Sequence, residues 1–438
     1  MYRPFLKNKY YIQTFGCQMN VHDSEKMAGI FSATGFQEAD ESNNADVIVL
    51  NTCSIREKAE QKFYSELGRL RKAKKYNPNL RIAIAGCIAQ QKRESLFKRF
   101  PYVDLIFGPD NIDNLQNWID GHNIHAAFDH NPEYHTKILP VKRVGQVRAW
   151  VSIMYGCDNF CAYCVVPYTR GRERSRPSND IYHETKMLSK SGFKEVTLLG
   201  QNVNSYGKNA HENIDFTDLL YKLHDIDGIQ RIRFVTSHPR DFSEKLIHAI
   251  KELPKVCKHL HLPVQAGSDN ILESMNRGYT YEEYKRKIDL LRSAVPEIAI
   301  TTDIIVGYPG EDEEDFQLTM NAISDIKYDG IFAFKYSKRP GTRAIELPDH
   351  IEEGIKSERL RKVLAIQERI TYEKNKKLEG DDVEILVEGV SESDPGKMTG
   401  RTTTNKIMNF HGNNKLIGQL VKINVLEAKL HSLYGVIV

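Results

Sequence analysis

Short runs of β-branched and apolar residues alternate with amphipathic stretches along most of this chain, and that alternation constrains the fold more than any single motif. Between residues 10 and 120 the runs YYIQTF, DVIVLNT, RIAIAGC and VDLIFG read as strands, and the segments near 23–34, 57–76, 89–99 and 111–119 read as helices. Such alternation dictates a parallel sheet with right-handed crossovers. A second series runs through WVSIM, EVTLL, RIRFVT, KHLHLP, IAITTDIIVG and IFAFKYS, with helical patterns near 178–191, 216–226, 242–253, 281–294 and 313–326. Six strand-helix repeats predict an incomplete parallel barrel with its functional residues at the C-terminal strand ends; an open sheet is the alternative. After a basic helix near 352–378, the runs VEILVEG, GRTTTN and LVKINVLEAKLHSLYGVIV alternate at period two between turn residues, the pattern of a small antiparallel barrel. The expected class is α/β: an N-terminal open parallel α/β domain (8–122), a polar linker (123–145), a central partial (β/α)6 barrel (146–375) and a C-terminal small antiparallel β-barrel (376–438).

With 438 residues, 40% of them hydrophobic, the chain can bury several ordinary cores. No stretch approaches the roughly 20 apolar residues of a membrane span, and the N-terminus lacks the apolar core of a signal peptide. The expectation is a cytoplasmic protein without a membrane partner. A net charge of +3 does not establish a nucleic-acid partner, so the distribution of charge carries that question. In YTRGRERSR, Arg170, Arg172, Arg174 and Arg176 alternate with one acid, Glu173, and alternate residues of an extended segment share a face. From Lys397 onward, Lys397, Arg401, Lys406, Lys415, Lys422 and Lys429 face the single acid Glu427.

Seven cysteines, an odd number in a chain without an export signal, argue against a disulfide framework and for free thiols engaged with metals or chemistry. Cys17, Cys53 and Cys87 each fall at the C-terminal end of one of the first three strands, the edge where open α/β sheets bind ligands. Cys157, Cys161 and Cys164 stand in CDNFCAYC, spaced C-x3-C-x2-C. Three thiolates so close in sequence fit three corners of a cubane iron-sulfur cluster and leave the fourth iron without a protein ligand. A structural zinc site wants a fourth Cys or His, and none stands nearby. Cys257 has no such spacing and reads as a buried small hydrophobe. GYPGED lacks the Lys-Ser/Thr ending of a phosphate loop, and no general acid-base pair is assigned.

The cysteine spacing resembles the radical-SAM superfamily, in which S-adenosyl-L-methionine occupies the open iron. The likeness then covers nearly the whole chain. TFGCQMNVHDSEKM, NTCSIREKAEQK, AGCIAQ, GCDNFCAYCVVPYTRGRERSR, LLGQNVNSYG, TSHPRDF, HLPVQAGSDNILESMNRGYT and DIIVGYPGEDEEDF, in that order, resemble the methylthiotransferases. That resemblance implies two [4Fe-4S] clusters, an auxiliary one on Cys17, Cys53 and Cys87 and the radical-SAM one on Cys157, Cys161 and Cys164. It implies SAM contacts at Tyr163, Gln201, Asn202, Ser237, His238, Gln265 and Gly307. CQMN is similar to the members that act on isopentenyladenosine in tRNA, so the expected reaction is methylthiolation of carbon 2 of N6-isopentenyladenosine at tRNA position 37. The tail resembles a TRAM domain. Arg170, Arg172, Arg174, Arg176, Lys397, Arg401, Lys406 and Lys415 are the expected RNA contacts, supplying affinity rather than sequence choice, while specificity comes from a flipped adenosine. The implied partners are isopentenyladenosine-containing tRNA and an electron donor such as flavodoxin or ferredoxin, with the chain a monomer. The alternatives are a methylthiotransferase for threonylcarbamoyl-adenosine tRNA or ribosomal protein S12, and a non-catalytic iron-sulfur RNA-binding protein.

Overall fold

The computed structural model describes residues 8–54, 57–209 and 212–438. They form two compact units, the first reaching to Val144 with the later stretches Met154–Asp158 and Val165–Arg176, the second holding the rest. In the first unit, β1 (Lys9–Phe15), β2 (Gln37–Glu38), β3 (Val47–Thr52), β4 (Arg81–Gly86), β5 (Leu105–Phe107) and β6 (Ala126–Ala127) make one parallel sheet in the order β2-β1-β3-β4-β5-β6. Strand β3 is central and buried along its whole length, which is why VIVL carries no polar alternation. Its Ile48 and Leu50 pack with Ile82 and Ile84 of β4 against Phe63, Leu67 and Leu70 of the helix Glu57–Tyr76. The two-residue edge strands β2 and β6 are too short to leave a periodic signal, and β6 lies within the polar stretch 123–145.

Two helices of this unit differ from expectation. The first, Gln18–Ala33, starts directly after Cys17 rather than near residue 23, and it buries Asn20, His22, Asp23, Glu25 and Lys26. A face buried by polar residues leaves no apolar stripe in the sequence. The segment read as one helix at 89–99 is two, Cys87–Lys92 and Ser95–Arg99, broken at Arg93, whose φ is +46°.

The second unit opens with β7 (Arg148–Ser152), while β8 (Met154–Tyr155) and β9 (Arg174–Ser175) pair antiparallel within the first. Parallel to β7 run β10 (Glu195–Leu199) and β11 (Arg231–Phe234), in the order β11-β10-β7, and β12 (His259–His261), β13 (Ala299–Val306) and β14 (Gly330–Lys335) make a second parallel sheet. A bridge from Ile232 to Val256 links them, giving the expected six-stranded partial barrel. Capping boxes at Asp215/Asp218, Thr280/Glu283 and Asp312/Asp315 fix the starts of three of its helices, each satisfying amides the helix cannot.

The last strands, β15 (Asp382–Val390), β16 (Met398–Thr402), β17 (Ile407–Phe410), β18 (Leu420–Ala428) and β19 (Leu433–Ile437), close into a barrel around Ile385, Val387, Met408, Phe410 and Ile423. Four of its pairings are antiparallel, but β17 and β19 pair parallel; closing the ring between strands not consecutive in sequence frees that pair from the hairpin rule. This small barrel docks on the N-terminal ends of β7, β10 and β11. Arg233 pairs with Glu195 at 3.1 Å and donates to the carbonyls of Thr402 at 3.2 Å and Thr403 at 3.3 Å. Glu388 accepts ion pairs from Arg148 and Arg401, both at 3.2 Å.

Candidate iron-sulfur and cofactor site

In the first unit the chain brings Cys17, Cys53 and Cys87 together, at the C-terminal ends of β1, β3 and β4. Cys17 is the N-cap of the helix Gln18–Ala33, and Cys87 opens the helix Cys87–Lys92. The Cys53 thiol hydrogen-bonds that of Cys17, and this bond, against the opposing effect of burial, brings Cys17 down to about 6, helped by Arg170 and by the Asn20 and Met19 amides. A helix N-terminus and a nearby guanidinium both favour a thiolate. Burial raises Cys87, opposed by a hydrogen bond and charge from Arg170. Arg170 itself is buried and pairs with Asp23 at 2.8 Å.

The loops carrying these thiols are held by side-chain amides. Asn20 Nδ2 donates to Asn51 Oδ1 and to the Thr52 carbonyl, both at 3.1 Å, while Asn51 Nδ2 donates back to the Asn20 carbonyl at 2.7 Å. Thr52 Oγ1 reaches the Ala85 carbonyl at 2.9 Å, joining the ends of β3 and β4. Gly86 stands at φ +93°, where an added Cβ would lie 2.4 Å from the Thr52 carbonyl oxygen. Asn20 and Asn51 stand inside quoted motifs, yet sequence reasoning missed them as positioning residues because their partners lie on different elements. Among the described residues no three His, Cys, Asp or Glu side chains are spaced to hold a single ion. Three soft thiols gathered beside a buried guanidinium fit the donor set and anionic charge of an iron-sulfur cluster.

Cys157 lies in the first unit, its amide donating to the Gly171 carbonyl at 3.3 Å, and Cys161 and Cys164 lie in the second, joined by a turn from the Cys164 amide to the Cys161 carbonyl at 2.9 Å. Phe160 between them has φ +46°, a conformation a bulky residue keeps only when its surroundings impose it. Those surroundings include Asn276 Nδ2, which donates to the Asn159 and Phe160 carbonyls at 3.3 and 3.1 Å. Tyr163 is half-buried, and its hydroxyl accepts from Arg277 at 3.4 Å.

The residues expected to meet SAM cluster at the C-terminal ends of β10, β11 and β12 in the second unit. Gln201 Oε1, Asn202 Oδ1, Ser237 Oγ, His238 Nε2 and Gln265 Oε1 are all buried without a hydrogen-bond partner. Buried polar atoms are almost always satisfied, so five at one strand edge mark the place of a polar ligand. Their scaffold is firm. Asn202 Nδ2 donates to Asp241 at 2.7 Å, and Asn204 and His238 exchange side-chain and backbone bonds at 2.9 and 3.0 Å. His238 Nδ1 accepts the Arg240 amide at 3.2 Å, so in the neutral ring Nε2 carries the proton and is a donor. Burial, then the charge of Arg277, holds His238 far below the usual histidine range. Gly307 serves packing: at φ +69° an added Cβ would lie 2.3 Å from Lys356 Cγ, and its amide donates to Glu311 at 2.9 Å.

The arginine stripe does not form one RNA-facing surface, because its members divide between interior and exterior. Arg170 faces the N-terminal thiols, Arg174 pairs with Asp110 at 3.0 Å, Arg176 is half-buried, and Arg172 is exposed beside Asp158 at 2.7 Å. In the tail, Arg401 is engaged with Glu388, and Lys406 donates to Asn375 at 2.8 Å. Both therefore belong to the docking of the small barrel. Lys397 pairs with Asp394 at 2.9 Å on a polar groove with Asn409 and Tyr434, and Lys415 is exposed. Cys257 is buried, and burial pushes its thiol up to about 11, as suits a packed small hydrophobe.

Comparison with known proteins defines the class. Residues 9–108 match the uncharacterized protein family UPF0004, residues 151–323 the radical SAM superfamily and residues 376–438 the TRAM domain. Among solved structures the fold is similar to the radical S-adenosylmethionine methyltransferase TsrM from Kitasatospora setae, with a TM-score of 0.56 at 13% identity over 78% of this chain and 74% of that one. It is also similar to the cobalamin-dependent S-adenosylmethionine radical enzyme OxsB, with a TM-score of 0.51 at 12% identity over 83% of this chain and 56% of that one. The chain is thus a radical SAM protein flanked by a UPF0004 domain and a TRAM domain. It is 54% identical over 98% of both chains to the tRNA-2-methylthio-N(6)-dimethylallyladenosine synthase of Thermodesulfovibrio yellowstonii. It is 48% identical to that of Thermoanaerobacter pseudethanolicus over 99% of this chain and 93% of the relative. The chain belongs to the family of tRNA-2-methylthio-N(6)-dimethylallyladenosine synthases.

Proposed function

We propose that this chain methylthiolates carbon 2 of N6-isopentenyladenosine at position 37 of tRNA, next to the anticodon. The observation that carries this reading is the gathering of three thiols from the ends of three neighbouring strands beside a buried arginine, in a chain that also carries the C-x3-C-x2-C loop. Cys17, Cys53 and Cys87 hold an auxiliary [4Fe-4S] cluster, and Cys157, Cys161 and Cys164 hold the radical-SAM cluster, whose open iron takes S-adenosyl-L-methionine. With both clusters bound, one SAM would supply a methyl group to a sulfur held at the auxiliary cluster, and reductive cleavage of a second SAM would supply the carbon radical that opens carbon 2 to the resulting methylthio group.

The chain's own residues bind and orient. Gln201, Asn202, Ser237, His238 and Gln265 would complete their unsatisfied bonds on the polar groups of SAM, with His238 Nε2 as a donor, and Tyr163, within the cysteine loop, would meet the adenine. Arg172, Lys397 and Lys415 meet tRNA phosphates, contacts that set affinity rather than choice of base. The functional domains span 8–122, 146–375 and 376–438, joined by the linker 123–145. The protein acts as a cytoplasmic monomer supplied with electrons by a flavodoxin or ferredoxin. Among the described residues no helix is long and apolar enough to cross a membrane.

Mass spectrometry of nucleosides from tRNA with and without the isopentenyl group, after incubation with reconstituted protein, SAM and reductant, tests the reading. The methylthio product is expected only on isopentenylated tRNA. Product on neither tRNA would overturn it.

A further inference from the structure

Strands β12, β13 and β14 share a row of side chains that the site described above does not use. Paired residues of parallel strands point to one side, and the register sets Ile305 beside Phe334, Asp303 beside Phe332, and Thr301 between His261 and Gly330. On the opposite face Leu260, Ile300, Thr302 and Ile304 are buried. Ile305 packs onto the apolar group that includes Ala162 of the cysteine loop, so this face lies under that loop, with Asp303 and Phe332 one row further down. Phe332 is 53% exposed, and no other phenylalanine among the described residues is exposed. Its ring meets that of His261 in a T-shaped contact, 5.7 Å between centroids.

A string of polar side chains ends beside that ring. Thr301 Oγ1 lies 3.2 Å from His259 Nε2 and 3.0 Å from His261 Nδ1, and His261 Nε2 faces Asp303 Oδ1 at 3.5 Å. A hydroxyl has one proton to give, and a carboxylate only accepts. The order that serves every pair has His261 Nε2–H toward Asp303, Thr301 Oγ1–H donating to His261 Nδ1, and His259 Nε2–H donating to Thr301. It leaves His259 Nδ1 as a bare lone pair, and that atom is buried without a partner. Asp303 is thereby aimed by His261, and among the described residues no donor takes its other oxygen.

An open aromatic face beside a free acceptor fits a purine with an exocyclic N–H, which stacks and donates at once. N6-isopentenyladenine keeps one N6 hydrogen. We propose that Phe332 and Asp303 seat the flipped adenine of the substrate: the base stacks on Phe332, its N6–H donates to Asp303, and His261 is the positioning residue that aims the carboxylate. The proposal rests on the reading of the substrate as an adenosine taken out of its stack in tRNA. The adenine of SAM has the same chemistry, so the test carries an arm for each.

The test uses the reconstituted full chain and an anticodon stem-loop RNA carrying N6-isopentenyladenosine, with binding read by fluorescence anisotropy at several salt concentrations. Phe332→Ala and Asp303→Ala are each expected to weaken binding about tenfold with the salt slope unchanged, since contacts to a base release no counterions. Wild-type affinity in both variants, or a flattened slope, would overturn the proposal. On an RNA whose N6 hydrogen is replaced by methyl, Asp303→Ala and His261→Ala should bind as the wild type does; the same tenfold loss there would overturn the hydrogen bond and the role of His261. Phe332→Trp keeps an aromatic face, and its added emission should be quenched by saturating RNA; unchanged emission would overturn the stack. 5′-Deoxyadenosine formed from SAM without RNA should be equal in wild type and Phe332→Ala. Loss of that product with RNA binding intact would give the seat to SAM and overturn the proposal. Binding is read without turnover, so wild type that binds the RNA but yields no methylthio product would overturn the functional reading, and the affinity ratios would still decide the seat.

Discussion

Burial pushes the thiols of Cys17 and Cys257 in the same direction, upward, and the two part only through what surrounds each sulfur. Cys257 is pushed up to about 11 by burial, whereas the Cys53 hydrogen bond brings Cys17 down to about 6. Two histidines show burial without such compensation. His238 and His259 are both held far below the ordinary histidine value, chiefly by burial. Below about pH 6.5 the unfolded chain binds protons at these positions and the folded chain does not, so stability falls as pH falls. Each contributes at most ~1.4 kcal/mol per pH unit. Urea unfolding at pH 7.5 and 5.5 should therefore show wild type losing ~1 kcal/mol more than His259→Gln over that interval. An equal loss in both would contradict a neutral, buried His259. At this scale the motifs singled out the six cysteines and the polar residues Gln201, Asn202, Ser237, His238 and Gln265, whose buried atoms lack partners in the structure. Asn20 and Asn51 were not singled out, because the partners that fix their role lie on different elements.

Strand ends and the turns after them carry the site, and their geometry is selective for residue type. Gly86 stands where β4 meets Cys87, with backbone filling the space a Cβ would need. Gly121 has a similar φ of +91°, but nothing lies within 4 Å of its would-be Cβ. Gly121→Ala is expected to cost ~1 kcal/mol for the left-handed backbone alone. Gly86→Ala should cost more, ~3 kcal/mol, because the Thr52 backbone must also move. Equal costs by urea denaturation would contradict the close approach. Helices with an apolar stripe or a capping box were legible: Tyr281–Ala294 and Glu313–Ile326 begin and end where the pattern places them. The start of Gln18–Ala33 was not, because its buried face is built of Asn20, His22, Asp23, Glu25 and Lys26.

At the scale of the molecule, the open parallel sheet, the partial barrel and the small terminal barrel follow from periodicity, since each sustains one repeat over many residues. What periodicity does not give is how charge is used. Arg170 and Asp23 meet across 147 residues of sequence, and Arg401 and Lys406 are engaged where the small barrel docks. A run of basic residues in sequence therefore overstated the RNA-facing surface. The central claim is that one chain holds two clusters, the first on thiols delivered by three strands. Iron and acid-labile sulfide per chain, measured after anaerobic reconstitution of wild type and of the Cys17→Ala, Cys53→Ala, Cys87→Ala variant, tests it most directly. About eight irons falling to about four is the expected result. About four in both would show that the gathered thiols hold no cluster, and would contradict the account.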